Sequence, residues 1–401
     1  MTAPPFPYPT LRLKPKADAR RIRFGHPWAW ADDLVLDRRA RKLAPGALAV
    51  LEDADRQVLG LGTATIEARI GLRLIDADPA ATIDRAWFTR RIADALALRR
   101  IYPDPFYRLI HAEGDALPGL IVDRFGDVLV IQPNAIWLED RLEDLLAALT
   151  GVMGCTTIIK NGQARARQAE GLPDEITVLT GTAPDTPIPV PMTGAIYMAD
   201  VTGGQKTGLF FDQRPNHAFA ASFAPGARVL DVFSHVGGFG LACLAAGAKG
   251  VTCIDASDDA LRLAQAGADA MGVAGRLTTR KSDAFAALEG IAADGGDFEI
   301  VIADPPAFAP SKQALTQGLR AYERVARLAA SCVAPGGILI LCSCSHAADL
   351  AKFRASCLRG IGRAGRQARL IHTGFAGPDH PQHPALTETG YLKVLAFRLM
   401  P

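Results

Sequence analysis

One stretch of sequence decides the fold, Val229-Leu230-Asp231-Val232-Phe233-Ser234-His235-Val236-Gly237-Gly238-Phe239-Gly240. It begins with a short apolar run that ends in an acid, continues with a turn, and reaches two glycines that open a predicted helix over residues 241–246. Open α/β sheets hold nucleotide-like cofactors at such a junction between a first strand and a helix. Glycine suits the junction because the backbone must turn tightly and a Cβ would collide with a ligand. A plain connection between strand and helix fits the same residues, so the stretch alone leaves both interpretations open.

Strands and helices alternate from this stretch to the end of the chain. Four apolar runs end in acids, and the intervals of 24, 28 and 21 residues are each about one strand plus one helix. A parallel sheet with right-handed crossovers requires such intervals. Further strands are predicted at residues 338–341 and 392–399. The pattern predicts a doubly wound, mostly parallel α/β domain with its acids at Asp231, Asp255, Asp283 and Asp304.

Two smaller domains are predicted before this one. Residues 1–77 show short strands, with glycine at each break and no helical periodicity, which indicates a small β-barrel-like domain. Residues 78–187 combine a helix around Trp87, a hairpin over residues 120–131, a helix over 138–149 and a strand over 156–160, and are predicted to be an α+β domain. Four prolines between Gly181 and Pro191 mark the boundary with a last domain over residues 188–401.

Composition excludes several classes of protein. The chain has 401 residues, of which 49% are apolar and 21% charged, so buried cores are expected and disorder is not. No apolar run approaches the ~20 residues that a membrane helix needs, and the first ten residues lack the features of a signal peptide. Seven scattered cysteines without paired CxxC motifs support neither disulfides nor a metal site. We therefore expect a cytoplasmic protein with no resident metal.

The N-terminal segment is strongly basic. Residues 1–42 carry ten Lys and Arg residues against four Asp residues, a local charge of +6 in a chain whose net charge is +2. Gly25-His26-Pro27-Trp28 follows Arg21 and Arg23, and an aromatic beside cations suits phosphate and base contacts. A polyanion is the predicted partner. A solvated charged surface, with Trp28 and Trp30 as core anchors, is the competing interpretation.

The strand-terminal acids narrow the choice of cofactor. Asp255 follows the second strand, where a carboxylate can accept both hydroxyl hydrogens of a ribose. A dinucleotide enzyme would share this feature, but its G-x-G-x-x-G fingerprint is matched only as Gly238-x-Gly240-x-x-Cys243. Asp283 has no evident dinucleotide role, whereas it suits an adenine amino group.

Two later motifs predict chemistry on a base. Asp304-Pro305-Pro306-Ala307-Phe308 fixes φ at two successive residues, which holds an acid for the amino edge of a base and an aromatic for its face. Cys342-Ser343-Cys344-Ser345-His346 follows the next strand, and Cys344 is expected at the carboxyl end of the sheet beside Asp304. A thiol there can be nucleophilic if its surroundings lower its pKa. A small buried hydrophobe is the commoner fate of a free cysteine, and we expect it for the other six.

These motifs resemble one family. The chain is similar to class I S-adenosylmethionine-dependent methyltransferases, closest to large-subunit ribosomal RNA cytosine-5 methyltransferases with an N-terminal PUA domain. The resemblance also rests on Leu117-Pro118-Gly119-Leu120-Ile121-Val122-Asp123, Gln205-Lys206-Thr207-Gly208 and Asp212-Gln213-Arg214. One departure is His235-Val236, where the family has Tyr-Thr.

The resemblance implies a cofactor, a partner and a set of site residues. S-adenosylmethionine is the implied cofactor, large-subunit ribosomal RNA the implied substrate, and a homodimer the implied assembly. Cys344 and Asp304 are the implied catalytic residues. Cofactor contacts are implied for Arg214, Asp231, Phe233, Ser234, Gly237, Gly238, Asp255, Ser257, Asp283 and Asp304. RNA contacts are implied for Lys14, Arg21, Arg23, His26, Trp28 and Phe308.

The implied reaction adds the Cys344 thiolate to C6 of cytosine, which makes C5 able to accept a methyl group. Related enzymes release the product with a second cysteine after the Asp-Pro-Pro proline, whereas here Ala307 follows Pro306, so the base for that step is unassigned and His346 is a hypothesis. Methylation of guanine or of an exocyclic amine, which needs no cysteine, is one alternative. A non-catalytic RNA-binding assembly factor is another, and a nicotinamide oxidoreductase is disfavoured by Cys243.

Overall fold

The chain divides into two compact units in the computed structural model, which describes residues 6–164, 167–168, 170–203 and 208–400. The first unit comprises residues 1–183 and 378–386, and the second comprises 184–377 and 387–401. The Gln205-Lys206-Thr207 part of one quoted motif lies outside the described residues. The predicted domain limits of 1–77, 78–187 and 188–401 stay a proposal.

The first unit begins with a sheet of five described strands. β1 pairs in parallel with β3, and the other neighbours are antiparallel, in the order β1-β3-β4-β5-β2. Apolar residues such as Leu11, Leu51 and Leu72 form its core. A short helix, Ala19–Arg23, precedes β2. The strands are β1 Thr10–Arg12, β2 Trp28–Trp30, β3 Ala47–Glu52, β4 Val58–Ala64 and β5 Ile70–Asp76.

A second sheet follows in the same unit, in the order β10-β9-β8-β7-β6. The predicted hairpin is present as an antiparallel β7–β8 pair, while β6 and β10 are strands that sequence reasoning missed. Trp87, Phe88 and Trp137 pack together in its core. The strands are β6 Phe106–His111, β7 Leu120–Phe125, β8 Val128–Pro133, β9 Thr157–Asn161 and β10 Ile176–Thr180, and the helices are Arg85–Arg99, Ile136–Glu139 and Leu142–Met153.

Residues 378–386 return to this unit from near the end of the chain. Asp379 is fully buried there and accepts a hydrogen bond from the Arg108 backbone N–H at 3.1 Å. The buried Arg99 guanidinium donates to the Asp379 carbonyl at 2.9 Å and to both Asp115 carboxylate oxygens at 2.6 Å. The segment is thus attached to the first unit by hydrogen bonds to the carbonyl and the carboxylate of Asp379.

The second unit contains a short hairpin and a large sheet. The hairpin strands are β11 Ile188–Met192 and β12 Ala195–Ala199, and two prolines fit β11 because a two-stranded sheet leaves both edges free. The sheet strands are β13 Arg228–Val232, β14 Gly250–Asp255, β15 Leu277–Lys281, β16 Phe298–Ala303, β17 Val333–Ser343, β18 Ala368–Gly374 and β19 Lys393–Leu399. The helices are Arg214–Ala221, Gly238–Ala245, Asp258–Ala270, Ala284–Ala293, Leu315–Ser331 and Leu350–Arg363.

The order of the large sheet is β15-β14-β13-β16-β17-β19-β18. β13 to β17 are parallel, and β19 runs antiparallel to both of its neighbours, β17 and β18. Strand order reverses between β13 and β16, and ligands of open α/β sheets bind at the carboxyl ends of strands beside such a switch point. The predicted fold class is confirmed: a doubly wound, mostly parallel α/β domain follows a small β-rich region and an α+β region. No described helix is long and apolar enough to span a bilayer.

Candidate active site

Asp231 anchors the switch point from inside β13. Its side chain is 1% exposed, one oxygen accepts a hydrogen bond from the Gly240 N–H at 2.8 Å, and Oδ1 has no hydrogen-bond partner among the described residues. Burial raises the pKa of this carboxyl from 3.8 to about 8, and the negative charges of Asp304 and Asp255 add to the rise. A buried acid with one unsatisfied oxygen is available to a ligand.

The turn after β13 is built from left-handed backbone. Phe233, His235 and Gly237 have φ values of +60°, +50° and +80°, a conformation that non-glycine residues adopt only where surrounding contacts hold it. A Cβ on Gly238 would lie 2.9 Å from the His217 ring, and one on Gly240 would lie 2.8 Å from the Cys253 sulfur. These two glycines are therefore required for packing against protein, and the predicted contact of Gly238 with the cofactor stays a prediction.

Further contacts hold the turn in place. Ser234 is buried, and its backbone N–H donates to the Ile254 carbonyl at 3.1 Å. The buried Tyr197 hydroxyl donates to the Gly238 carbonyl at 2.9 Å. Tyr197 lies on β12, and the sequence analysis did not identify it as a site residue. The turn is pre-organised before any ligand binds.

Carboxylates end the next two strands. Asp255 is half-buried at the end of β14 and accepts hydrogen bonds from the N–H groups of His235 and Ser257, each at 2.8 Å. Asp283 is exposed and caps the helix Ala284–Ala293 by accepting from Ala286 N–H at 2.9 Å. Ser257 likewise caps the helix Asp258–Ala270. All three predicted cofactor residues thus lie at one edge of the sheet, and each also stabilises local backbone.

Asp304 follows β16 directly and is half-buried. One of its carboxylate oxygens accepts a hydrogen bond from the Gln213 side-chain amide at 2.8 Å, and Asn216 donates in turn to the Gln213 side-chain oxygen at 2.7 Å. Sequence reasoning quoted Gln213 within its motif but gave it no role. Arg214, the predicted cofactor residue beside it, places its guanidinium 5.6 Å from the Phe211 ring.

Cys344 is the one cysteine of the seven that is not buried. It lies immediately after Ser343, the last residue of β17. Because Ala303 pairs with Leu341 across the two strands, Cys342 is level with Asp304, and Cys344 lies two residues further along, at the carboxyl end of the neighbouring strand. Burial raises the pKa of the Cys342 thiol well above its ordinary value, with the charge of Asp304 adding to the rise. Cys342 thus fits the expected small buried hydrophobe, since a buried protonated thiol is a poor nucleophile.

A buried lysine accompanies Cys344. Lys393 on β19 pairs with Ser343 across the antiparallel ladder, is 4% exposed, and donates to the Ser345 carbonyl at 2.6 Å. Burial lowers the pKa of Lys393 to about 8, while the attractions of Cys344 and Asp349 oppose that shift. No local sequence pattern predicts this contact, because Lys393 follows Cys344 by 49 residues and only the pairing of β19 with β17 brings the two together. Its ammonium is placed to stabilise a thiolate.

Hydroxyl groups connect this segment to the Asp-Pro-Pro motif. The Tyr322 hydroxyl accepts from Ser343 at 2.9 Å and shares a hydrogen bond of 2.8 Å with the Ser345 hydroxyl. Ser345 Oγ in turn accepts from the Ala309 N–H at 3.0 Å. The network fixes the loop that carries Cys344 relative to the loop that follows Asp304.

An aromatic cluster lies beside the same loops. The Phe308 ring is 6.4 Å from Phe233, 6.2 Å from Phe285 and 5.1 Å from Tyr322. Phe308, which is predicted to contact RNA, therefore packs against other aromatic rings of the second unit. Phe233 contacts Phe285 as well, at 6.4 Å.

The predicted RNA residues of the N-terminal sheet differ in accessibility. Arg23 is exposed and forms an ion pair with Asp53, and Lys14 is exposed and donates to the Asp32 carbonyl at 2.7 Å. His26 is buried, and its ring nitrogen lies 3.0 Å from the Trp28 carbonyl. His26 thus supports Trp28 rather than facing solvent. Trp28 is half-buried and donates to Glu113 at 3.0 Å.

Sequence reasoning missed the centre of this surface. The Trp30 ring lies 5.7 Å from Trp28, with the Arg21 and Arg69 guanidinium groups 5.8 Å and 5.2 Å from its centroid. Phe24 is 83% exposed. Cations over an indole and a protruding phenyl ring suit unpaired, stacked bases.

The family profile of S-adenosylmethionine-dependent methyltransferases matches residues 108–398, and that of PUA-like domains matches residues 11–77. The chain belongs to the S-adenosylmethionine-dependent methyltransferase family. It is 32% identical over 412 residues to a ribosomal RNA large subunit methyltransferase of Deinococcus radiodurans, covering 100% of both chains. It is also 32% identical over 381 residues to ribosomal RNA large subunit methyltransferase I of Aeromonas hydrophila, covering 93% of this chain and 95% of the relative.

Solved structures share the fold. A methyltransferase crystallised with SAH superposes with a TM-score of 0.83 at 18% identity, over 97% of this chain and 100% of the other. A SAM-dependent methyltransferase from Streptococcus mutans superposes with a TM-score of 0.81 at 18% identity, over the same shares. The cofactor of the present methyltransferase is S-adenosylmethionine. The site fits it, because the unsatisfied Asp231 oxygen and the Asp255 and Asp283 carboxylates are acceptors for amino and hydroxyl groups.

Proposed function

We propose that this methyltransferase methylates C5 of a cytosine in large-subunit ribosomal RNA through a covalent bond from Cys344 to C6. The observation that carries the proposal is that Cys344 alone among the cysteines is not buried, and that it follows the strand beside Asp304. Relatives that are aligned over the whole chain are ribosomal RNA large subunit methyltransferases, which supports the substrate.

The residues that would hold the cofactor follow from their positions. Asp255 would accept from the ribose hydroxyls, Asp283 from the adenine amino group and Asp231 from the ammonium group. Phe233, with the glycines of the turn, would shape the pocket, and Arg214 begins the helix beside it. Ser234 and Ser257 would act by holding backbone. The bound cofactor supplies an electrophilic methyl group on sulfur.

The protein's own residues would activate the base. The Cys344 thiolate adds to C6 of cytosine, and the electron pair of the C5–C6 double bond moves toward C5. Asp304, oriented by Gln213, would hold the N3/N4 edge of the base by accepting a hydrogen bond from the N4 amino group. C5 takes the methyl group, a base removes the C5 proton, and the electron pair of that C–H bond restores the double bond as the C6–S bond breaks.

Lys393 would generate the thiolate that starts this sequence. Its side chain is buried near Cys344 with no carboxylate bound to it among the described residues, so its charge is available to the thiol. A neighbouring ammonium lowers a thiol pKa. His346 is exposed, which leaves it accessible as the base for the C5 proton.

The N-terminal surface around Trp28 and Trp30 would bind the RNA near an unpaired target. A target base must be unpaired or flipped out to reach the pocket. A cytoplasmic location and a homodimer are further parts of this proposal, which rest on the family resemblance.

Nucleoside analysis tests the proposed function. The purified full-length protein, S-adenosylmethionine and an unmodified transcript of large-subunit ribosomal RNA should yield 5-methylcytidine on digestion and mass spectrometry. A methylated guanosine or an N-methylated base would instead support the cysteine-independent alternative. Absence of any methylated nucleoside, together with no binding of S-adenosylmethionine by calorimetry, would support an assembly factor.

A further inference from the structure

A second strongly basic region lies in the second unit, away from the N-terminal surface in sequence. Residues 311–370 contain ten Lys and Arg residues against two acids, Glu323 and Asp349, a local charge of +8 that exceeds the +6 of residues 1–42. The whole chain carries only +2, so the residues outside these two segments have a net charge of −12. Such segregation of charge concentrates positive potential on one surface.

Half of these cations line a groove of about 570 Å³ between the helices Leu315–Ser331 and Leu350–Arg363. We call it the arginine groove. Five arginines and a single acid line it, so its lining carries a charge of +4. The arginines are Arg320, Arg324, Arg327, Arg359 and Arg363, the acid is Glu323, and Thr316 and Leu319 complete the lining.

Three of the arginines are held in place. Glu323, whose side chain is 12% exposed, accepts from Arg359 at 2.9 Å and also binds Arg363. Arg324 binds Glu289 at 2.9 Å and lies 4.6 Å from the centroid of the Phe285 ring. Glu323 alone cannot neutralise both Arg359 and Arg363, so its contacts orient these two cations without cancelling their charge.

The side chains of the remaining two, Arg320 and Arg327, have no carboxylate or other partner among the described residues. Arg320 is exposed and Arg327 is half-buried. Guanidinium groups bind phosphate through paired N–H donors, and two uncompensated guanidinium groups beside three oriented ones suit a chain of phosphates better than a single anion.

The groove is linked to the active site through the fold. The helix Leu315–Ser331 begins eleven residues after Asp304, and Arg324 packs on Phe285, which contacts both Phe233 and Phe308. A polyanion in the groove would therefore lie on the same unit as the reacting base, separated from the cofactor turn by one layer of aromatic rings.

We propose that the arginine groove binds the phosphate backbone of the RNA substrate and is a second RNA contact independent of the N-terminal PUA-like domain. The inference rests on the proposed RNA substrate and adds a binding surface to it. Phosphate contacts of this kind position the RNA without reading its sequence. They also make affinity depend on salt concentration.

Salt-dependent RNA binding tests the groove. The double variant Arg320→Ala/Arg327→Ala is compared with Lys249→Ala/Arg262→Ala, which removes two exposed cations from outside the groove. The probe is a large-subunit ribosomal RNA transcript, titrated with each full-length protein at several salt concentrations. The groove variant should bind about tenfold more weakly at low salt, and its slope of log Kd against log salt should fall by about 1.4 to 1.8.

The control variant should retain the wild-type salt slope. Both variants should melt close to the wild-type temperature, because Arg320 and Arg327 make no ion pair and the ion pairs of Arg262 are exposed. Equal behaviour of the two variants would overturn the inference and would favour an acidic protein as the partner. Methyl transfer at saturating RNA separates this result from the proposed function. A groove variant with normal kcat and raised KM supports the inference, whereas a wild-type protein that methylates no RNA would refute the proposed function whatever the groove binds.

Discussion

The carboxyl edge of the large sheet has two halves that are built differently. In the cofactor half, at the ends of β13, β14 and β15, the carboxylates of Asp231, Asp255 and Asp283 accept hydrogen bonds from nearby backbone N–H groups. In the base half, at the ends of β16 and β17, side chains contact other side chains, as Asp304 does Gln213. The first half supplies a pre-formed binding surface, and the second supplies groups that can change their protonation or bonding.

The halves therefore predict different consequences of substitution. Changes in the cofactor half should weaken S-adenosylmethionine binding and alter stability. Changes in the base half should reduce methyl transfer while cofactor affinity stays the same.

The largest effect is expected at Cys344. Cys344→Ser should reduce the methyl-transfer rate by at least about 10³-fold, because a hydroxyl cannot form the C6 adduct at neutral pH. Calorimetry should give an unchanged Kd for S-adenosylmethionine. Cys342→Ala is the matched control and should keep activity within a fewfold, since the Cys342 thiol is buried and stays protonated. Full activity of Cys344→Ser would show that Cys344 takes no part in the chemistry, and the proposed role of the base half would be wrong.

Lys393 should have the next largest effect. Lys393→Met should slow alkylation of Cys344 by iodoacetamide at pH 7 about thirtyfold, because it removes a positive charge that stabilises the thiolate. The alkylation rate against pH should shift to higher pH, and methyl transfer should fall with it. Lys393→Arg, which keeps the positive charge, should retain most of the rate. Identical pH profiles for wild type and Lys393→Met would show that Lys393 only fills space beside the thiol.

Asp255 tests the cofactor half. Asp255→Asn should weaken S-adenosylmethionine binding about tenfold, because it removes the charge that holds the His235 N–H and the proposed ribose contact. Methyl transfer at saturating cofactor should change little. Asp258→Asn is the control, since that exposed carboxylate pairs with Arg262 on the helix surface. A fall in kcat without a change in Kd would assign Asp255 to the chemistry instead.

The smallest effect concerns stability without cofactor. The pKa of Asp231 is raised by burial from 3.8 to about 8, so the folded protein binds more protons than the unfolded chain between these two values. Its contribution to the free energy of unfolding is therefore greatest at low pH and declines up to pH 8, by at most about 1.4 kcal/mol per pH unit. Asp231→Asn should abolish this part of the slope in urea unfolding at a series of pH values. If the free energy of unfolding changed with pH equally in the two proteins, the raised pKa of Asp231 would be contradicted.

Most of the cofactor half could be predicted from sequence, and much of the base half could not. Its glycines and strand-terminal acids all lie between Asp231 and Asp283 and follow the period of βα units, so a local pattern suffices. Lys393 reaches Cys344 through an antiparallel strand at the end of the chain, which no local pattern indicates. Gln213 was visible in its motif, but only the structure places its amide on Asp304.

The same reasoning explains the other misses. The segment 378–386 joins the first unit through Asp379, whose partners are more than 270 residues away in sequence. The arginine groove could not be predicted from sequence because its cations lie on two helices that are separated along the chain by the uncharged strand β17. Its net charge emerges only when both helices are summed.

Covalent trapping tests the central claim most directly. Large-subunit ribosomal RNA transcribed with 5-fluorocytidine should form a complex that survives denaturation when incubated with the protein and S-adenosylmethionine. Fluorine at C5 cannot leave as the proton does, so the C6–S bond should persist, and peptide mapping should locate it at Cys344. No complex in the wild type, or an equally stable complex with Cys344→Ser, would contradict the account.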